Sequence, residues 1–270
     1  GGRTYAFDPD SRLMHACGPR ALPVEEEARQ ILSAPDPSPP AFDRGEFEVL
    51  KRVARRLGDL ALDIPLAMRT HGSLSVHDRL ELMALHPDAA ELYFKRATAS
   101  AVAMGARAIE AGVTILTAGG HLGGNRTSLI SPDDFRRFIL PPLQVQVRAC
   151  HRMGARVCVA SGGCIWPFAE GFLIESLADG YWGIDTYASM DLVRLRERYG
   201  KKICLIGGVD SVYTLPRGSQ AEVREEVLNT LDCFKDWPRF MLSSSNSIHN
   251  GVPPENFIAM IEAYRRFYGL

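Results

Sequence analysis

The chain has 270 residues, 46% of them hydrophobic and 23% charged, an ordinary globular composition whose length suits one large α/β domain. Its 31 Lys and Arg against 32 Asp and Glu leave a net charge of −1, which removes any electrostatic case for a nucleic-acid partner. No apolar run approaches the ~18–20 residues needed to cross a bilayer, and GGRTYAFDPD has neither the basic start nor the apolar core of a signal peptide. The six cysteines (17, 150, 158, 164, 204 and 233) form no CxxC pair. In a chain this long they read as reduced, mostly buried thiols of a cytoplasmic protein.

Residues 1–41 read as an irregular entry segment, because SAPDPSPP (33–40) suits neither a helix nor a central strand. From residue 42 helix and strand alternate. FDRGEFEVLKRVARRLG puts Phe47, Leu50, Val53, Ala54 and Leu57 on one helical face, with Gly58 as the stop. LALDIPLAM (60–68) is the first predicted strand. A long helix over 75–112 follows, broken near His86-Pro87, and then the strand VTILTAGG (113–120). Ser131-Pro132 opens a helix running toward Met153, interrupted at Pro141-Pro142. RVCVASGG (156–163) is the next strand, followed by a helix from Trp166-Pro167. GYWGIDTYA (180–188) is a strand and MDLVRLRERYG (190–200) a helix. ICLIGG (203–208) and RFMLSSS (239–245) each precede a loop and an amphipathic helix. Six strand/helix units over 42–270 predict parallel pairing and right-handed crossovers in one domain of the (β/α)8 TIM-barrel type, two units short of closure.

In such a barrel chemistry gathers at the C-terminal strand ends. Arg69 and His71 end the first strand; the Arg is suited to grip a carboxylate or phosphate, or to satisfy its loop. His121 and Asn125 lie in GGHLGGNRTSLISP (119–132), whose glycines allow a ligand close to the backbone. Ser161 and Cys164 follow the third strand. Asp185 and Tyr187 follow the fourth, with Asp185 a candidate acid or orienting group. Gly208 opens GGVD, where Asp210 reads as a turn-former. Ser245, Asn246 and His249 crowd the last strand end. Candidate catalytic groups are therefore His121, Asp185 and His249. Candidate binding groups are Arg69, His71, Asn125, Ser161, Tyr187, Gly208, Ser245 and Asn246. His121, Cys164 and His249 also form a weak alternative metal set, without a spacing motif behind it.

The stretches RTYAFDP, SLISPDDFRRFILPPL, MDLVRLRERYGKKICLIGGVD, EVREEV and VPPEN resemble the uroporphyrinogen decarboxylase superfamily, and within it the cobalamin-dependent methyltransferase branch. The resemblance implies a barrel whose opening helices and first strand have no counterpart here, so that the chain is either N-terminally shortened or a smaller barrel. It implies a methyl group moved between a small substrate and a corrinoid held by a partner protein, and admits a homodimer. Zinc enzymes of the branch carry a His-x-Cys pair after the third of these strands and a Cys in the last loop, where the metal activates a thiol. Aligned on Gly163, Pro167 and PPEN, those places hold Ala160, Gly162 and Asn246, so zinc is not expected. The alternatives are tetrapyrrole decarboxylation, for which the Arg-rich motif has no counterpart here, and a catalytically silent binding subunit.

Overall fold

The structure, a computed structural model, describes residues 4–8, 13–17, 22–36, 45, 47–57, 63–67, 74–120 and 122–270; for 4–8, 13–17, 57 and 63–67 only the backbone is described. Six short strands are too brief to stand alone and are stabilised by pairing. They are β3 (Asp63–Ala67), β4 (Ile115–Gly119), β5 (Arg156–Ala160), β6 (Gly180–Ile184), β7 (Cys204–Val209) and β8 (Phe240–Ser244). They form one parallel sheet in sequence order, β3-β4-β5-β6-β7-β8, as uninterrupted β/α alternation dictates. β3 and β8 are its two ends and are not paired to each other among the described residues. The predicted strand runs are thus all present; those of β4, β5, β6 and β8 stop short where small and polar residues turn into the following loop, and β7 runs on to Val209.

Residues 1–41 differ from expectation. An antiparallel hairpin of β1 (Thr4–Asp8) and β2 (Leu13–Cys17) precedes α1 (Val24–Ser33). Two signals in the sequence account for this. The Asp8-Pro9-Asp10-Ser11 run is turn chemistry between two apolar-rich pentapeptides. Pro23 precedes a first turn with Glu25, Glu26 and Glu27, which suits the positive end of a helix dipole. The Pro-rich run begins at Ser33, the last residue of α1.

α2 (Glu48–Leu57) precedes β3. The predicted long helix is α3 (Val76–Leu85) and α4 (Pro87–Glu110), joined at His86. His86 sits at φ −135°, ψ 65°, the non-helical geometry that a following proline enforces. Ser75 starts α3 with a reciprocal capping box to Asp78. The next helix is α5 (Pro132–Asp134), a π turn over Phe135–Ile139, and α6 (Leu140–Arg152). Its irregularity therefore precedes Pro141-Pro142 instead of falling on them. Two adjacent prolines remove two N–H donors, and the turn before them widens so that the Leu140 N–H reaches the Phe135 carbonyl. The helix predicted from Trp166-Pro167 is a 3-10 turn (Trp166–Phe168) that runs into a π turn (Gly171–Glu175), and α7 (Leu192–Tyr199), α8 (Thr214–Arg217), α9 (Gln220–Phe234) and α10 (Pro254–Tyr268) complete the described α-helices.

Alternation along the strands separates two faces. Val157, Val159 and Tyr181 are fully buried under the helices. There a ring cluster of Phe135, Phe168, Phe172 and Tyr181 packs with successive centroids 4.7–6.2 Å apart. A second, smaller core joins β7, α9 and α10 through Val209, Val223, Val227, Leu231, Ala259 and Ala263. The other strand face is concave and lines a cleft. No helix of the described residues is long and apolar enough to cross a membrane.

Candidate active site in the cleft of the parallel sheet

The concave face encloses a cleft of about 620 Å³. Its wall follows directly from strand register, because every second residue points inward. β4 supplies Ile115, Thr117 and Gly119, and β5 supplies Arg156, Cys158 and Ala160. β6 supplies Trp182, β7 Cys204 and Ile206, and β8 Met241 and Ser243. At the C-terminal strand ends the mouth is made by Ser161, Gly162, Ser245, Asn246 and Ser247. Among the described residues the wall is largely apolar and the mouth neutral. The cation lining the cleft, Arg156, stands at the opposite end and pairs with Asp179 at 2.9 Å.

Ser161 is buried beside the mouth, and its hydroxyl is already engaged. It accepts from the N–H of Leu122 (3.2 Å) and Gly123 (3.3 Å) and donates to the Gly162 carbonyl (2.9 Å). The Tyr181 hydroxyl donates to the Ser161 carbonyl at 3.2 Å, and burial raises that phenol far above its ordinary value. Gly123 and Gly163 touch backbone to backbone, so any side chain at either would strike the other; Gly163 also sits at φ +74°. The loops after β4 and β5 are thereby stitched together.

Asp185 completes that stitching. One carboxylate oxygen accepts from Gly163 N–H (3.3 Å) and the other from Ala188 N–H (3.1 Å). This geometry makes it a clamp between the β5 and β6 loops, and it is not among the cleft-lining residues. Ser245 plays the same part on the other side. It is buried, its hydroxyl accepts from Ser211 N–H at 3.1 Å, and it meets the Ser211 hydroxyl at 2.9 Å. Asn246 is exposed at the mouth, with its side-chain oxygen accepting from Ser247 N–H. His249 is half-buried, and its Nδ1 accepts from Gly251 N–H at 3.0 Å, which leaves Nε2 to carry the proton in the neutral ring.

Gly208 lies elsewhere than expected. It has φ +101°, and a Cβ there would run into Thr230 of α9, whose hydroxyl donates to the Gly208 carbonyl at 3.0 Å. Its missing side chain lets helix and sheet approach, and Gly208 is not among the residues lining this cleft. Asp210 caps α8, accepting from the N–H groups of Val212, Tyr213 and Thr214. Asn125 is exposed in the small turn bracketed by the Gly123–Ser128 bridge. Tyr187 is exposed and not among the cleft-lining residues, its ring 4.4 Å from that of Tyr213, whose hydroxyl donates to the Tyr187 hydroxyl at 3.1 Å. Arg69, His71 and His121 lie outside the described residues. Cys164 is buried away from the cleft lining. Among the described residues, the one cluster with metal-ligand spacing is His77, Asp78 and Glu81 on α3. Asp78 there is engaged in the capping box, and neither Cys164 nor His249 joins the cluster.

The places of Ala160 and Gly162 after β5 and of Asn246 after β8 converge on this one cleft. The side chains they bring are a methyl group, a hydrogen and a carboxamide. Sequence reasoning missed the wall itself: Thr117, Cys158, Trp182, Cys204, Ile206 and Met241. The signal was the period-2 alternation inside each strand. It was masked because parallel strands covered on both faces read as continuous apolar runs.

A family model described as uroporphyrinogen decarboxylase (URO-D) matches residues 64–267. The chain belongs to the uroporphyrinogen decarboxylase family. Two curated members of the URO-D family are similar to it. A uroporphyrinogen decarboxylase of Dichelobacter nodosus is 26% identical over 129 residues, covering 48% of this chain and 35% of the relative. One of Pseudoalteromonas atlantica is 25% identical over 202 residues, covering 73% and 54%. The chain thus spans about half the length, or less, of the curated relatives it matches. In fold it is similar to a methyltransferase from Methanosarcina mazei, with a TM-score of 0.72 at 19% identity over 99% of this chain and 76% of that one. URO-D proteins are enzymes, and this barrel-type neighbour agrees with the β/α architecture described above.

Proposed function

We propose that this URO-D protein is a methyltransferase that moves a methyl group between a small substrate in the cleft and a corrinoid carried by a partner protein. The observation that carries this reading is the character of the cleft. Its wall is apolar, its described mouth holds neutral Ser, Gly and Asn groups, and the cation lining it stands at the far end, paired with Asp179. A tetrapyrrole with many carboxylates calls for cations where it binds; a small neutral methyl donor does not. The likeness in fold to the M. mazei methyltransferase supports the same choice.

A corrin face suits this mouth, which among the described residues has no charge to desolvate, and the exposed aromatic pair Tyr187 and Tyr213 offers further apolar surface. The cobalt centre would supply or accept the methyl group. The chain's own part is to exclude water with the Trp182, Ile206 and Met241 wall and to provide a proton. When a methyl group leaves oxygen or nitrogen as a cation equivalent, the heteroatom keeps the electron pair and takes up a proton. One candidate donor is the Nε2–H of His249 in the loop after β8, which would have to turn toward the cleft because His249 is not among the residues lining it, and His121 is the second candidate. Asp185 serves as a positioning residue for the β5 loop. Ala160, Gly162 and Asn246 offer no thiolate or imidazole, so the reading assigns no zinc-activated thiol.

The test mixes the protein with a Co(I) corrinoid and a panel of methyl ethers and methylamines and follows the absorption change of corrinoid methylation. No change across the panel sinks the proposal, and stoichiometric zinc in the purified protein sinks its zinc-free form. The names of the curated relatives favour a second reading, decarboxylation of a tetrapyrrole acetate. Formation of coproporphyrinogen from uroporphyrinogen would establish it in place of the first.

A further inference from the structure

Strand register sets five inward residues in one row across the cleft: Gly119, Ala160, Trp182, Ile206 and Met241. Their side chains grow from a hydrogen and a methyl on β4 and β5 to an indole on β6 and longer chains on β7 and β8. Trp182 is half-buried and is the one aromatic side chain among the described residues lining the cleft. The space beside it, over Gly119 and Ala160, is therefore bounded by bare backbone and one methyl group. Gly119 has φ +133° and a Cβ there would strike the Ala160 carbonyl, so that position stays without a side chain. Toward the mouth the room continues, since a Cβ at Gly120 or Gly162 would meet nothing within 4 Å. A flat step on one side and an indole on the other complement a flat ring, because π-systems favour offset and edge contacts with one another. The cleft volume of about 620 Å³ lies within the range of about 300–1,000 Å³ usual for small-molecule sites.

We propose that Trp182 and the step over Gly119 and Ala160 bind an uncharged aromatic ring, and that the methyl donor is an aryl methyl ether. Two features choose this class. A permanently charged methylammonium would be desolvated without a counter-charge, because among the described residues the carboxylate lining the cleft is Asp179, at the far end and paired with His151 and Arg156. The second feature concerns the leaving group. Among the described residues no carboxyl or imidazole lines the mouth to protonate a departing oxygen. A phenol ionises near ~10, as tyrosine does, whereas an alkoxide is about as basic as hydroxide, whose parent water has a pKa of ~15.7. A phenolate therefore leaves without the proton that a departing alkoxide needs. The methyl–oxygen bond breaks and its electron pair stays on the ring oxygen. The reduced corrinoid of the proposed reaction supplies the pair for the bond it gains, and the phenolate takes its proton from water. This substrate class rests on the methyl-transfer reading above, whereas the ring site rests on the cleft alone.

The test measures binding to the protein without corrinoid by titration calorimetry, with anisole and cyclohexyl methyl ether as probes. The two match in size and differ in the ring. Anisole is expected to bind at least ~3-fold more tightly, the order of an aromatic stack. 4-Methoxybenzoate is expected to bind at least ~10-fold more weakly than anisole, because its carboxylate loses water without gaining a partner. Trp182→Leu should abolish the preference for anisole and Trp182→Phe should keep it. Ala160→Leu, which fills the step, should weaken anisole binding by ~10-fold or more. Equal affinity for the two ethers, no binding of either, or a preference that survives Trp182→Leu overturns the proposal. The comparison of ligands needs no variant to fold. If anisole binds through Trp182 but no donor methylates a Co(I) corrinoid, the ring site stands, and the methyl-transfer reading falls together with the aryl ether. If methanol or a methylamine serves as donor and anisole does not, methyl transfer stands and the aryl ether falls.

Discussion

Around the ends of β4, β5 and β6 the mouth of the cleft is held by crossed ties. Ser161 anchors two amides of the neighbouring loop, Asp185 bridges the next pair of loops, and Gly123 lies directly on Gly163. Behind them stands a stacked ring cluster. Around β8 the ties are fewer. Ser245 reaches Ser211, but the adjoining core is small, Met241 is open and α10 shows an apolar stripe. Two regions of one sheet thus differ in how completely they are packed. The stitched side fixes the shape of the site from within this chain, whereas the open side has surface to spare for something else.

The contrast breaks most severely if the ring cluster is emptied. Phe172→Ala should cost about 3–5 kcal/mol in urea unfolding, the cavity cost of a fully buried ring. Phe257→Ala on α10, measured on the chain described here, should stay within about 0.5 kcal/mol, since that ring is open to solvent. Equal losses would mean that the two sides do not differ. Next in size is Gly163→Ala, which combines a left-handed backbone with a collision against Gly123. About 2–3 kcal/mol of lost stability is expected, read from the shift in thermal midpoint.

Ser161→Ala should follow, at about 1–3 kcal/mol, because the Leu122 and Gly123 amides lose their acceptor in a buried place. Amide exchange at Leu122 and Gly123 should accelerate while exchange at Val209 stays slow. If all three speed up together, Ser161 is a global packing residue and not a local tie.

The smallest effect is electrostatic. Burial pushes the Asp179 carboxyl up, but the Val157 amide, His151 and Arg156 together outweigh it and hold the group below the usual carboxylate range. A depressed folded pKa contributes stability above the unfolded value, ~3.9, and loses it as pH falls through the folded one. Asp179→Asn should therefore be less stable than the parent near neutrality, and the gap should close below about pH 4. A gap that widens on acidification would reverse the assignment.

The sequence showed the six strands clearly, because each apolar run stops abruptly in small or polar residues. It showed where chemistry belongs for the same reason: strand ends are local features. What it hid was long-range. Nothing in the sequence near Gly208 says that Thr230, on α9, fills the space beside it. Nothing near Ser161 says that its hydroxyl is taken by a loop almost forty residues earlier. The hairpin of β1 and β2 was hidden differently, by allowing the Pro-rich run at 33–40 to set the reading of everything before it. The widened turn at Phe135–Ile139 was legible only as trouble near two prolines, since the register in which a helix absorbs missing donors depends on what packs around it.

The hydroxyl of Ser161 has a consequence for selectivity. Its proton is given to one carbonyl and its lone pairs face two amides. A ligand in the mouth can recruit it only by outbidding those amides, and success would release the segment that follows residue 121. Polar recognition at this point is therefore linked to loop release. Ligands held by the apolar wall leave the loop in place, whereas ligands that demand a hydrogen bond from Ser161 must displace it.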